Sequence, residues 1–164
     1  RIRRERKLKV NIPAGVATGT QMRLSGEGQP GSNGGPPGDL YVVMKVGESP
    51  IFERRDFDLH CSVPVNIAQA ALGTTIEVPT FDGVQTVKVP EGSQPATQLR
   101  IRNLGVPKIN SSGRGDLYIH LDVKVPTKLS REQRALLEQL AGQLPIDNKP
   151  SEKGLFDRVK DYFM

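Results

Sequence analysis

The sequence predicts an all-β fold with short helices: two tandem, duplicated β-sandwich-like units followed by a C-terminal dimerisation helix. Three observations carry this expectation. The string GDLYVVMKV at residues 38–46 returns as GDLYIHLDV at residues 115–123, an offset of 77 (115 − 38). Several runs alternate apolar and polar residues with a period of two, the signature of a half-buried strand. The chain carries 17 glycines and 13 prolines, which punctuate those runs and keep the elements short.

The offset holds register far beyond the repeated string. KVNIPAGVATGTQMRL (residues 9–24) falls on TVKVPEGSQPATQLRI (residues 86–101), with Pro13 on Pro90, Gly15 on Gly92, Thr20 and Gln21 on Thr97 and Gln98, and Arg23 on Arg100. Gly28 then meets Gly105 and Pro30 meets Pro107 without a gap. Such register marks a duplicated unit.

Taken in order, Leu8, Val10 and Ile12 alternate with Lys7, Lys9 and Asn11, which predicts a half-buried strand stopped by Pro13-Ala14-Gly15. Residues 21–24 make a second short strand with Met22 and Leu24 on one face. GEGQPGSNGGPPGD reads as a hairpin loop; it lacks the Gly-Lys-Ser/Thr ending and following helix of a phosphate cradle. Residues 40–46 make the third strand, with Leu40, Val42, Met44 and Val46 on one face and Tyr41 and Val43 on the other, so both faces are expected to be partly covered.

Ahead of the second copy's matching strands stands DLHCSVPVNIAQAALGTTIEVPTFDG, residues 58–83. It predicts a strand through Leu59, Cys61 and Val63, a helical turn or two from Asn66 to Leu72 ended by Gly73, a strand over residues 74–78, and a turn at Phe81-Asp82-Gly83. At the same offset the first copy's counterparts would precede Arg1, so the chain is expected to be a piece of a longer protein. Ser130-Arg131-Glu132-Gln133 has capping-box spacing, and Leu136, Leu137, Leu140 and Leu144 follow as an apolar helical stripe. After the linker of residues 145–150, Leu155, Phe156, Val159, Tyr162 and Phe163 form a one-sided apolar helix too short to stand alone. Docking within the chain and docking on a second copy both satisfy it. The expected segments are residues 1–47 (the remainder of the first unit), 48–57 (linker), 58–128 (second unit) and 129–164 (helical dimerisation segment).

Composition narrows the function classes. The chain has 164 residues, 36% hydrophobic and 5% aromatic, with no Trp, so its core must be Val, Ile and Leu. A single cysteine, Cys61, cannot form an internal disulfide, no apolar run approaches a membrane span, and no signal-like stretch follows RIRRERK; a cytoplasmic protein is expected. The net charge of +5 permits an acidic partner. The Arg1–Lys7 cluster, however, has no interleaved aromatics for base stacking and reads as a solvated arm, which argues against nucleic acid.

Candidates for chemistry are few. His60 and His120 sit in strand patterns away from any nucleophile motif and read as satisfied or surface histidines. Cys61 reads as a small buried apolar residue, and one Cys with two His cannot build a structural zinc site. Asp39 and Asp116 recur at loop-to-strand junctions and read as turn-stabilising carboxylates rather than an acid–base pair. No reacting centre assembles, and a binding module without enzymatic activity is the expectation. Such modules take extended peptides on open sheet edges.

The strings VNIPAGVATGTQMRLSGEG, GDLYVVMKV, SPIFERRDFDLHCSVPVNIAQAALGTTIEVPTFDG, VKVPEGSQPATQLRIRNLGVP and GRGDLYIHLDVKVPTKLSREQRALL together resemble the C-terminal region of the DnaJ family of co-chaperones, in order and over nearly the whole chain. LFDRVKDYF is similar to the tail of its bacterial full-length members. The resemblance implies binding of unfolded polypeptides and their delivery to the seventy-kilodalton heat-shock chaperone. It places Leu8 and Val42 in an apolar client groove, and the alternation sets Val10 and Met44 close by; ordinary sheet core would explain all four equally. It assigns homodimerisation to Leu155, Phe156, Val159, Tyr162 and Phe163. The family's His-Pro-Asp motif and Cys-x-x-Cys-x-Gly-x-Gly repeats are absent from this sequence, so zinc is expected only in a cysteine-rich region outside it and no cofactor within it. The family's linker pattern His-Pro-x-Phe-x-Arg-x-Gly is here Ser49-Pro50-Ile51-Phe52-Glu53-Arg54-Arg55-Asp56, with Ser for His and Asp for Gly. Two rival readings are a β-sandwich adaptor for acidic tails or nucleic acid, and a hydrolase using His60 or His120.

Overall fold

The computed structural model describes residues 7–109 and 111–144. The chain divides into two compact bodies at Val125/Pro126. The first is all-β with one short helix. Its strands run β1 Gln21–Leu24, β2 Leu40–Val43, β3 Glu53–Arg55, β4 Asp58–Asn66, then helix α1 Ile67–Leu72, β5 Thr74–Thr80, β6 Gly83–Val89, β7 Gln98–Ile101 and β8 Leu117–Lys124. They form the antiparallel pair β1–β2, a four-stranded sheet in the order β3-β4-β8-β7, and the hairpin β5–β6. Within the four-stranded sheet, β4 and β8 run parallel, from Leu59 opposite Leu117 to Asn66 opposite Lys124.

The core is concentrated in the second copy. Leu59, Cys61 and Val65 of β4, Leu117, Ile119 and Leu121 of β8, Val78 of β5, Val89 of β6, and Ala70 and Val106 form one buried cluster. Period-two alternation is the cause: odd-numbered residues of β4 and β8 face the β5–β6 layer, and the even-numbered ones face away. Leu117 and Ile119 are wholly buried. Each such side chain contributes about 2–3 kcal/mol of transfer free energy. Asn66 caps α1 with a capping box, its side chain accepting from the Gln69 N–H, and Gly73 ends the helix at φ 78°.

The repeat extends to the hydrogen bonds. Met44 N–H donates to Thr20 O at 2.9 Å, and Leu121 N–H donates to Thr97 O at 2.9 Å. Gly28 N–H to Gly38 O at 2.8 Å is matched by Gly105 N–H to Gly115 O at 2.8 Å. Arg23 Nε donates to Asp39 Oδ2 at 2.7 Å, while Asp39 Oδ1 accepts from Gly26 N–H. Arg100, Asp116 and Asn103 repeat this arrangement 77 positions on. Both aspartates therefore stabilise turns, as their positions in the sequence predict. The left-handed turn residues Gly19 and Gly26 become Ala96 (φ 63°) and Asn103 (φ 60°) in the second copy.

Three expectations change. Leu8–Ile12 forms no strand: among the described residues nothing pairs with it, whereas its counterpart at Gln85–Val89 is paired because β5 lies alongside. A strand is a property of a pair, so alternation alone does not make one. β2 ends at Val43 rather than Val46; beyond it the chain is held by Thr18 Oγ1, which accepts from Val46 N–H at 3.0 Å. Tyr41 and Val43 are 58% and 60% exposed, so that face of β2 is open rather than partly covered.

The linker substitutions are accommodated. Ser49 Oγ accepts from the N–H groups of Ile51 and Phe52, closing a serine turn. Asp56 takes φ 54°, a left-handed conformation that Asp tolerates better than most side chains.

In the second body, α2 Arg131–Ala141 starts in the capping box read from the sequence, with Ser130 Oγ accepting from Gln133 N–H at 3.1 Å. The stripe residues Leu136, Leu140 and Leu144 are exposed among the described residues. Leu155, Phe156, Val159, Tyr162 and Phe163 lie outside the described residues. No helix among the described residues is long and apolar enough to cross a membrane.

Candidate functional site

The candidate apolar site divides between two segments. Val42 and Met44 share one face of the β1–β2 pair, where Val42 stands opposite Met22 and Leu40 opposite Leu24. Met44 is buried at 8% exposure and Val42 is half-buried. Leu8 (36% exposed) and Val10 (half-buried) lie on the unpaired segment, and no ladder joins them to β2.

The duplication supplies an internal standard. Val42 corresponds to Ile119 and Met44 to Leu121, both at 1% exposure or less. The cross-strand partner corresponds too, with Met22 opposite Val42 and Leu99 opposite Ile119. One sequence pattern on one backbone is thus sealed in the second copy and half open in the first. What seals it in the second copy is β4 alongside β8 in the same sheet and the β5–β6 hairpin, whose Val78 and Val89 join the same buried cluster.

A second apolar concavity, of about 1210 Å³, opens where the two copies meet, with Ile12, Val46, Ile51, Phe52 and Phe81 among its lining. Ile51 and Phe81 are exposed, and the Phe52 and Phe81 rings lie 5.9 Å apart. The sequence did not single out this groove, because its walls are contributed by residues up to 108 positions apart, from Ile12 to His120 (120 − 12).

The opposite face of the four-stranded sheet is polar. His60 Nδ1 lies 2.9 Å from His120 Nε2, and the His60 ring stacks on Tyr118 with centroids 5.0 Å apart. Arg100 sits over the other ring of this row, 5.9 Å from the Tyr118 centroid. Burial, then the Arg55 guanidinium and His120, hold the His60 pKa below its usual value; Glu53 and Asp58 partly offset them. The two imidazoles hydrogen-bond each other, the satisfied arrangement that their strand positions led us to expect. Cys61 is buried on the core side, and burial pushes its thiol pKa up, away from the reactive thiolate. Among the described residues no three metal-type side chains gather.

Comparison with known proteins decides the family. Residues 1–126 match the DnaJ C terminal domain model, and residues 132–164 match the model described as the chaperone protein DnaJ C-terminal region. The chain belongs to the DnaJ C-terminal domain family. It is 48% identical over 166 residues to the chaperone protein DnaJ of Brevibacillus choshinensis, covering 99% of this chain and 44% of that protein. It is also 48% identical over 164 residues to that of Brucella ovis, with the same coverage. The chain therefore spans less than half the length of these relatives.

Proposed function

We propose that this DnaJ-family chain captures exposed apolar segments of non-native polypeptides, as the C-terminal part of a cytoplasmic co-chaperone that delivers them to the seventy-kilodalton heat-shock chaperone. One observation carries the reading: Val42 is half open on a sheet face whose duplicate, at Ile119, is sealed. An apolar surface kept accessible in one copy and buried in the other fits a docking surface for apolar side chains. Extended segments would add along the exposed backbone of the first copy and seat alternate side chains beside Leu8, Val10, Val42 and Met44. Capture by burial involves no bond making, so the reading needs neither an enzyme centre nor a cofactor in this chain. The family's dimer, assigned to Leu155, Phe156, Val159, Tyr162 and Phe163, would present two such surfaces and raise weak single-site binding by avidity.

The test is suppression of aggregation of a denatured model protein by the full chain. Leu8→Asp and Val42→Asp are each expected to weaken suppression while the thermal transition of the second copy stays in place. Unchanged suppression by both variants would refute the site. Salt separates the rival adaptor reading: apolar capture persists at high salt, whereas binding to phosphates or carboxylates falls steeply.

A further inference from the structure

We propose that Arg54 is a positioning residue that locks the client-bearing first copy onto the second; the inference rests on the client reading above. Arg54 lies on β3, the edge strand of the second copy's sheet, opposite Leu59. Its side chain leaves that sheet and crosses to the first copy. Nη1 donates to Val16 O at 2.7 Å and Nη2 donates to Gly15 O at 2.7 Å. Nε donates to Asp56 O at 2.7 Å, the carbonyl of the left-handed residue that turns the chain from β3 into β4. Three carbonyls, two from one copy and one from the other, thus converge on one guanidinium. A planar fork with fixed N–H directions can meet such a set, whereas an ammonium on a flexible stem cannot hold all three in register. The Gly15 and Val16 bonds are part-buried, so a lost partner would leave carbonyl groups poorly solvated.

A second contact lies on the same turn. Gly15 has φ 89°, and a Cβ built there would lie 1.9 Å from Pro107 O of the second copy. Its duplicate Gly92 also has positive φ (71°), but a Cβ there meets nothing within 4 Å. The close approach is therefore peculiar to the first copy's turn. Where the second copy's turn bonds its own helix, through Gly92 N–H to Ala71 O and Ser93 N–H to Ala70 O, the first copy's turn is seated on Pro107 and Arg54. This turn directly follows the segment carrying Leu8 and Val10. Holding it fixes the direction in which that segment leaves the second copy, so the apolar surface is presented at one angle. The entropy of ordering it is then met before a client arrives.

The experiment places spin labels at the exposed positions Gln21 of the first copy and Lys88 of the second, each as a cysteine, and records the distance distribution in the full chain. A narrow distribution is expected, broadening in Arg54→Ala, in Arg54→Lys and in Gly15→Ala. Gly92→Ala, which carries the same backbone strain without the contact, is expected to leave it narrow. Aggregation suppression is expected to fall several-fold in the three broadened variants, with the thermal transition of the second copy unchanged. An unchanged distribution in Arg54→Ala overturns the lock. A broadened distribution with full suppression overturns the positioning role, provided Val42→Asp lowers suppression in the same assay. Should Val42→Asp and Leu8→Asp both be silent, the client reading fails on its own, and the distance distribution alone decides the lock.

Discussion

His60 Nδ1 lies 2.9 Å from His120 Nε2, diagonally across the parallel β4–β8 ladder in which His60 itself stands opposite Tyr118. One ring must supply the proton and the other the lone pair, so a second proton sets two N–H groups against each other. Burial weighs most against the charged His60 ring, the Arg55 guanidinium and His120 come after it, and Glu53 and Asp58 relieve part of the cost. The His60 pKa is thus lower in the folded chain than in the unfolded one, and between the two values the unfolded chain binds more protons. Stability is full above the unfolded value of about 6.5 and declines as pH falls below it. A thermal melt series from pH 7.5 to 5 is expected to show this decline. His120→Gln is expected to flatten it by removing the imidazole that faces His60; an unaltered slope in that variant would refute the pair as its source.

The recurring aspartates act in a lower window. The Gly26 N–H first, and the Arg23 guanidinium after it, lower the pKa of Asp39; the Asn103 N–H and then Arg100 do the same for Asp116. Each contributes stability that is present above the unfolded carboxylate value and is lost as pH falls through the folded one, below about 4. Asp116→Asn is expected to lower the melting temperature at pH 7 and to lower it less at pH 3, below the unfolded carboxylate value. Melts at the two pH values check this.

The duplicate positions are expected to differ in cost. Ile119→Ala removes a fully buried side chain and is expected to destabilise the second copy by about 3–4 kcal/mol. Val42→Ala, at the half-open equivalent, is expected to cost about 1 kcal/mol or less. Urea unfolding of both variants tests the contrast; equal costs would show that the two faces are sealed alike.

Asp56 holds a left-handed turn at φ 54°. Asp56→Ile is expected to cost about 1–2 kcal/mol, because a β-branched side chain strains that conformation, while Asp56→Gly is expected to be tolerated. Denaturant midpoints distinguish the two, and a harmless isoleucine would exclude backbone strain at this position.

The helix cap at Asn66 gives a further check. Both halves of the capping box are formed, with Asn66 Oδ1 accepting from Gln69 N–H at 2.8 Å and Gln69 Oε1 accepting from Asn66 N–H at 3.0 Å. Asn66→Ala is expected to cost about 1 kcal/mol, read from the same unfolding curves. Asn66→Ser, which can rebuild the cap, is expected to restore most of it.

Much of this was written in local pattern. The offset of 77 aligned Arg23 with Arg100 and set Asp39 and Asp116 at matching turns, and the structure joins each Arg to its Asp in the same clasp. Alternation put Leu59, Cys61, Leu117, Ile119 and Leu121 inside and, by the same count, His60 and His120 on the opposite face. Cap chemistry located the start of α2 at Ser130, and the helical turn expected from Asn66 to Leu72 forms as α1. Alternation misled at Leu8–Ile12, since it reports which side chains could share a face and not whether a neighbouring strand is there to hydrogen-bond.

By itself the sequence determined the duplication, the all-β class, the family resemblance and the inward or outward sense of each strand residue, because these follow from periods of two and from turn chemistry within a few residues. Only the tertiary structure decided that β4 and β8 pair in parallel and bring His60 onto His120. It alone showed that Val42 stays half open where Ile119 is sealed, and that Arg54 reaches back to Gly15 and Val16. Those facts depend on contacts between distant residues, from Arg54 with Val16, 38 positions apart, to His60 with His120, 60 apart. Their energies come from burial and from hydrogen-bond direction in three dimensions, for which a linear pattern has no local signature.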